Sequence, residues 1–461
     1  MKSEANTFFA TQAWVQGAWA TNVLLEVDAQ GHWSKVQVNT PADQRQGAQV
    51  LSDPILPGVV NAHSHAFQRA IAGLTERRNT AAGSDDFWSW RNRMYSAANR
   101  ISPEQLEVIA TQLYAELLAS GYTQVCEFQY LHNTIDGTPY ADPAEMSLAL
   151  ARAAQRTGIG LTLLPTLYMR SGFAATGLRD DQRRFASTPD SIARIVESAK
   201  RQTQNDPRIN VGVALHSLRA VPPAALNELA TYAQGAGLPV HIHIAEQTQE
   251  VDDCLAHTGQ RPIEWLLNHA AVDARWNLVH ATHTTPQELA GIQQSGARIV
   301  ICPSTEANLG DGVFDLPGYA AVQGAWSIGS DSHVTRSWVE ELRLLEYSQR
   351  LSQRQRNIAA HHLGQNMTSG SSAAALLQAA LHGGVAASGL PLSGIAVGQR
   401  ADFVTLDRQS PALQGMPDDY VLDALVFSSP SANFTQTFVA GQVVTAPQSS
   451  DFAGVMQALW A

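Results

Sequence analysis

The chain has 461 residues, enough for one large barrel with a smaller appended unit. Its 30 Lys and Arg against 41 Asp and Glu leave a net charge of −11, so no overall field attracts phosphate backbones or anionic membranes. A composition 44% hydrophobic and 15% charged describes a folded globular protein and excludes an extended disordered or coiled-coil chain.

Residues 5 to 25 carry no charge, but Asn6, Thr7, Gln12, Gln16 and Asn22 interrupt every apolar run, a pattern of strands rather than of a signal peptide or membrane span. With "WSKVQVN" they make residues 1–56 a small β unit. From "LPGVVNAHSH" onward, apolar β-branched runs alternate with helical stretches. The runs are 57–63, 123–128, 159–168, 209–216, 238–244, 276–281, 297–302 and 325–330, and their number predicts a (β/α)8 TIM-type barrel over residues 57–390. Helices are expected over 102–119, opened by Ser102 as cap with Pro103 in the first turn, and over 142–157, 189–204, 223–235 and 285–295. The stretch 66–101, which contains "DDFWSWRNRMY", is long for a strand-to-helix connection and is expected to form a lid or a subunit contact. From about residue 391, "LSGIAVGQRADFVTLD" and "NFTQTFVAGQVV" return to Gly-punctuated strands. They are expected to join residues 1–56 in one discontinuous β-sandwich domain of 1–56 with 391–461. Three scattered cysteines, Cys126, Cys254 and Cys302, form no disulfide framework or Cys-x-x-Cys site and fit a reducing cytoplasm.

Barrel chemistry sits where strands end at their C-terminal side. The first strand ends in His63-Ser64-His65, whose period-two spacing points both imidazoles the same way, about 6–7 Å apart at Cα. The fifth carries His241, His243 and then Glu246, the sixth ends at His280, and the eighth leads into Asp331. Alone, a His-x-His pair among fifteen histidines is more often ordinary polar surface. Four strand ends on one barrel face make coincidence the weaker account, and several imidazoles with a carboxylate suit catalytic zinc, with iron or another divalent ion as alternatives.

Here the sequence resembles the amidohydrolase superfamily, in which His-x-His on strand one, His on strands five and six, and Asp on strand eight surround one or two metals. Two-metal members usually carry a carboxylated lysine at the end of strand four. The chain has only Lys2, Lys35 and Lys200, none of them there. The resemblance therefore implies one metal held by His63, His65, His243 and Asp331. It gives Glu246 a proton relay, Asp331 the attacking water's proton, and His280 a hydrogen bond to the water or leaving group, with direct ligation as the alternative.

"NAHSHAFQRAIAGL", "FWSWRNRMY", "ELLASGYTQVCEFQYLHN", "HSLRAVP", "HIHIAEQ", "LVHATH" and "GSDSHVTRSWVEELRLLEYSQRL" together are similar to the formimidoylglutamate deiminase family, which hydrolyses N-formimino-L-glutamate in histidine breakdown. That likeness implies a small dicarboxylate amidine as substrate, bound by Gln68, Tyr130, His216 and Arg219, and a cytoplasmic homodimer. It also implies an arginine reaching from the long first loop into a neighbouring subunit's site, for which Arg91 is the nearest match and Arg93 the alternative. Gln129 departs from the family pattern, which usually has His there. His132, His283 and His333 are expected behind the site. The rival expectation is a single-metal aminohydrolase acting on a guanine-, pterin- or triazine-like ring, and neither reading calls for nucleic acid or membrane.

Overall fold

A computed structural model describes residues 6–77, 87–364, 370–430, 434–445, 447 and 451–461. Eight parallel strands curl into a nearly closed barrel: in order, Val59–Ser64, Tyr122–Gln129, Gly160–Leu167, Val213–Ser217, Val240–Ile244, Trp276–His280, Arg298–Ile301 and Trp326–Ile328. Strand eight returns to strand one at the bridge between Ser64 and Asp331. Each run expected from the sequence supplies one barrel strand. Two deviate locally: Ile55–Pro57 leaves the barrel to pair elsewhere, and the fourth run breaks at Gly212 into Ile209–Val211 and Val213–Ser217.

Capping chemistry sets the helices. Ser102 accepts from the Gln105 amide at 3.2 Å while the Gln105 side chain accepts from the Ser102 amide at 2.9 Å, so the helix Pro103–Ala119 starts one residue from its expected position. The expected 142–157 helix begins only at Glu145, because Asp142 spends its carboxylate on the Ala144 amide at 2.9 Å in a turn through Pro143.

A separate mixed sheet joins the chain ends. Thr7–Val15, Ala18–Val27, Trp33–Gln37, Gln49–Leu51 and Ile55–Pro57 come from the start, and Phe403–Leu406, Phe434–Val439 and Gln442–Val444 from the end. Phe403–Leu406 runs antiparallel to both Ile55–Pro57 and Phe434–Val439. The sheet has its own core, where the rings of Phe403 and Phe438 stack at 4.1 Å beside Phe8 and Trp33. A buried Arg400–Asp402 pair at 2.6 Å ties it to the barrel through the Thr123 carbonyl. The tail is not all strand. Phe452–Trp460 is a helix whose Phe452, Val455, Met456, Leu459 and Trp460 repeat at helical spacing, and Trp460 donates to the Ala70 carbonyl at 3.1 Å.

The helix Ser372–Ser388 closes the barrel floor. Its glycines allow close contact: a Cβ on Gly383 would lie 1.9 Å from the Trp326 carbonyl oxygen, and one on Gly384 2.8 Å from Val60 Cβ. The carbonyls of its last turn then receive side chains from the strand beginnings. Thr162 and Asn210 donate to Ser388 at 3.2 and 2.7 Å, His241 donates to Ala387 at 2.9 Å, and Asn277 donates to Ala386 at 3.4 Å. These four donors satisfy the helix end that would otherwise carry unmet acceptors in a dry core. The three cysteines are buried and unpaired, and among the described residues no helix is long and apolar enough to cross a membrane.

Candidate active site

At the opposite end of the barrel the strand termini bring His63, His65, His243, His280 and Asp331 together. The Nε2 atoms of His63 and His243 are 3.0 Å apart, and those of His63 and His65 each lie 3.4 Å from Asp331 Oδ1. His280 Nε2 is 3.8 Å from Asp331 Oδ2. The outer nitrogens fix the tautomers, since His65 Nδ1 donates to the Phe128 carbonyl and His243 Nδ1 to the His216 carbonyl, both at 2.9 Å. His65 and His243 thus turn their Nε2 lone pairs inward, that of His65 toward the Asp331 carboxylate, which is itself an acceptor. Tetrahedral zinc with bonds of about 2.0–2.1 Å separates its ligand atoms by about 3.3 Å, which the observed spacings match. The donor set fits a metal, and these residues could hold one.

The electrostatics agree. Burial pushes His63 down to about 3 and lowers His65 and His243 as well, so the imidazoles are neutral, as ligands must be. Burial alone would raise Asp331, but its bond to His63 and the neighbouring His65 and His280 hold it well below the usual carboxylate range. Burial raises Glu246 to about 7, and its carboxylate stands 3.6 Å from His280 Nε2. Burial opposes charge on His280, yet Glu246, Glu306 and Asp331 carry it up to about 10.

The backbone is bent to make this arrangement. Ala245, His280, Ala281, Asp331 and His333 all have positive φ, between 44° and 69°, a region costly for residues with a Cβ and concentrated here at strand ends. The barrel seam also runs through the site: Asp331 donates its amide to the His63 carbonyl at 3.0 Å, and Asn61 exchanges bonds with Ser330 at 2.7 and 2.9 Å.

Beside this cluster lies a cavity walled by Gln68, Tyr130, His216, Arg219 and Glu246, and by Phe87, Trp90, Arg91, Met94 and Tyr95 of the helix Phe87–Ala98. Gln68 donates to the Tyr130 hydroxyl at 3.3 Å, and the His216 ring packs on Tyr168 at 4.3 Å. Arg91 and Arg219 flank Trp88, at 4.3 and 5.7 Å from its ring. Neither guanidinium forms an ion pair with any carboxylate among the described residues, and the Nε atoms of both are buried without a partner. Within the single chain, Arg91 lines this cavity. Arg93 turns away to the carbonyls of Leu74 and Arg77. Residues 78–86 of the expected long loop lie outside the described residues.

His241, on the same strand face as His243, sits at the barrel floor instead of the site. Gln129 is also outside the cavity, bonded to the Leu131 carbonyl at 2.8 Å, so its departure from the family pattern touches only the local loop. His333 accepts from Ser330 at 3.1 Å and donates to the His65 carbonyl at 3.1 Å, while His132 donates to Thr166 at 2.8 Å. The structure adds buried residues that the sequence reading passed over. Glu127 accepts from Ser64, Tyr114 and the Ala66 amide, and burial raises it to about 7. Glu306 accepts from His280 Nδ1 at 3.3 Å and from the Cys302 amide at 2.9 Å, which orients His280. Tyr168 directly follows barrel strand three, so the strand-end rule applied to every strand would have found it.

The amidohydrolase family model matches residues 55–444. The formimidoylglutamate deiminase of Pseudomonas aeruginosa is 46% identical over 443 residues, 95% of this chain and 94% of that protein. The crystal structure of an amidohydrolase from Brucella melitensis superposes with a TM-score of 0.91 at 40% identity, covering 99% of this chain and all of that one. A zinc-bound adenosine deaminase from Xanthomonas campestris shares the fold, with a TM-score of 0.78 at 22% identity over 98% of this chain and 97% of its own.

Proposed function

The chain belongs to the amidohydrolase family, and on that footing we propose that it hydrolyses N-formimino-L-glutamate to N-formyl-L-glutamate and ammonia in histidine degradation. The observation that carries this reading is the pair of arginines, half-buried Arg91 and buried Arg219, that line one cavity with His65, His243, Glu246, His280 and Asp331, each with a buried Nε that has no hydrogen-bond partner. Glu250 and Glu246 favour the charge on Arg219 from a distance, but neither guanidinium has a carboxylate in ion-pair contact among the described residues, and a substrate with two carboxylates supplies that contact. The relative from Pseudomonas aeruginosa is named for this reaction.

His63, His65, His243 and Asp331 would hold one divalent ion, zinc by the chemistry of the donor set. When bound, such an ion polarises the amidine and lowers the pKa of a water. Asp331, well below the carboxylate range, accepts the proton of the attacking water. Glu246, poised at about 7, passes a proton to the departing nitrogen, and His280, held by Glu306, steadies the developing tetrahedral centre with a hydrogen bond. Gln68, Tyr130 and His216 line the path between the reacting carbon and the arginines. The domain boundaries at 56/57 and 390/391, a cytoplasmic setting and a homodimer belong to the same proposal.

A ring-amine substrate draws support from the aromatic wall of Phe87 and Trp90, but brings no carboxylate into contact with either guanidinium. The deciding experiment measures ammonia release from N-formimino-L-glutamate by the zinc-loaded protein, with His63→Ala as control and ring amines alongside. Release that His63→Ala abolishes supports the proposal. Turnover of a ring amine with none of N-formimino-L-glutamate overturns it.

A further inference from the structure

The cavity wall holds a pair of tyrosines whose hydrogen bonds can be counted. Tyr95 comes from the helix Phe87–Ala98, Tyr168 follows barrel strand three, and their hydroxyl oxygens are 3.2 Å apart. Gln182, fully buried behind them, donates to Tyr95 at 3.1 Å and to Tyr168 at 3.0 Å. The Gln182 amide has only one orientation, because its Oε1 accepts the Arg179 amide at 3.1 Å, which leaves the NH2 group for the tyrosines.

Gln182 spends both N–H bonds, one on each phenol. The two phenols bring two O–H bonds, and the contact between them uses one. One phenolic proton is left over, and no other acceptor among the described residues bonds to either hydroxyl. Both rings line the same cavity as Arg91, Arg219 and His216. Arg91 lies 5.5 Å from the Tyr95 ring, and the Tyr168 ring meets His216 edge-on at 4.3 Å. A spare neutral donor between two cations is directed at a negative acceptor, and burial keeps the Tyr168 phenol protonated.

We propose that Tyr95 and Tyr168, held by Gln182, form a shared donor that gives its one unspent proton to a substrate carboxylate, so that the pair sets the preference for a dicarboxylate over a monocarboxylate amidine. The assignment rests on the N-formimino-L-glutamate reading and deepens it. The count also predicts non-additivity. Removing either hydroxyl frees the survivor's proton, so Tyr95→Phe and Tyr168→Phe each keep one donor. Only the double variant has none.

The test compares kcat/KM for N-formimino-L-glutamate with that for two analogues, 4-(formimidoylamino)butanoate, which lacks the α-carboxylate, and N-formimino-L-norvaline, which lacks the side-chain carboxylate. In the double variant the preference over one analogue is expected to drop about tenfold to a hundredfold, the worth of a charge-assisted hydrogen bond, and to change less than about threefold in each single variant. Gln182→Glu keeps both rings but accepts their protons, and is expected to match the double variant, which guards against a folding defect in the latter. A wild-type preference that survives in the double variant and in Gln182→Glu overturns the assignment alone. Equal losses in the single and double variants also overturn it. A wild-type enzyme with no dicarboxylate preference overturns the substrate reading together with it.

Discussion

Replacing Arg219 with Met removes the guanidinium and keeps most of its volume. The loop should hold, because Arg170 donates to the Leu218 carbonyl at 2.9 Å and to the Arg219 carbonyl at 3.1 Å, bonds the substitution leaves untouched. The loss then falls mainly on binding, with buried Glu250 also losing the cation that favours its charge. Arg219 is 9% exposed, so a substrate carboxylate meeting it forms a desolvated pair. Deleting one partner of such a pair costs about 2–5 kcal/mol, or about 30-fold to several thousandfold in kcat/KM. Because the carboxylate is the same in ground and transition states, the loss should fall mainly on KM. Initial rates of ammonia release across N-formimino-L-glutamate concentrations measure both constants. A fall below about threefold, or an unchanged KM with a collapsed kcat, would refute the reasoning that Arg219 serves as a carboxylate anchor.

Glu306→Gln keeps the shape of the His280 support and removes its charge. His280 should then lose affinity for its proton, the alkaline limb of the kcat profile should move to lower pH, and kcat should fall about 10- to 100-fold; an unmoved limb counts against the assignment. Glu341, bonded to the Ser304 amide at 2.9 Å, is raised by burial from 4.5 to about 8. A carboxyl whose folded pKa is raised stabilises fully below its unfolded value and loses that contribution as pH rises through the folded one. Stability should fall between about pH 5 and 8 by up to about 4–5 kcal/mol from this group, and Glu341→Gln should flatten the trend in urea midpoints. Glu127→Ala strands the Ala66 amide and the Ser64 and Tyr114 hydroxyls, so we expect a loss of about 3 kcal/mol in chemical denaturation and about 10- to 100-fold weaker metal binding in a chelator competition.

The barrel was legible because each strand is an apolar run and several helices open with their own signal, as the one after Ser102 does with Pro103. The convergence of the candidate ligands was legible too, since strand ends on one barrel face meet whatever the loops do. What escaped depends on partners distant in the chain. Tyr95 and Gln182 stand 87 positions apart, and only the packing of the helix Phe87–Ala98 against the segment after strand three joins them. His241 and His243 share a face, but period two cannot tell the floor from the mouth of a barrel. Arg91 has no sequence mark that separates its own cavity from a neighbour's. The final helix did carry a readable spacing at Phe452, Val455, Met456, Leu459 and Trp460, hidden by the strand texture before it.

The helix end planted in the barrel floor bears on traffic. Thr162, Asn210, His241 and Asn277 grip its carbonyls from four neighbouring strands, so the vessel has a sealed base. Water and substrate come in, and both products go out, past the rim that carries Arg91 and Tyr95. In the proposed reaction, ammonia is expected to form nearest the candidate ligands and the acylated amino acid to stay held by Arg91 and Arg219. Departure in that order requires the dianion to loosen before its exit clears, which makes the rim, rather than bond cleavage, the place where turnover is expected to be paced.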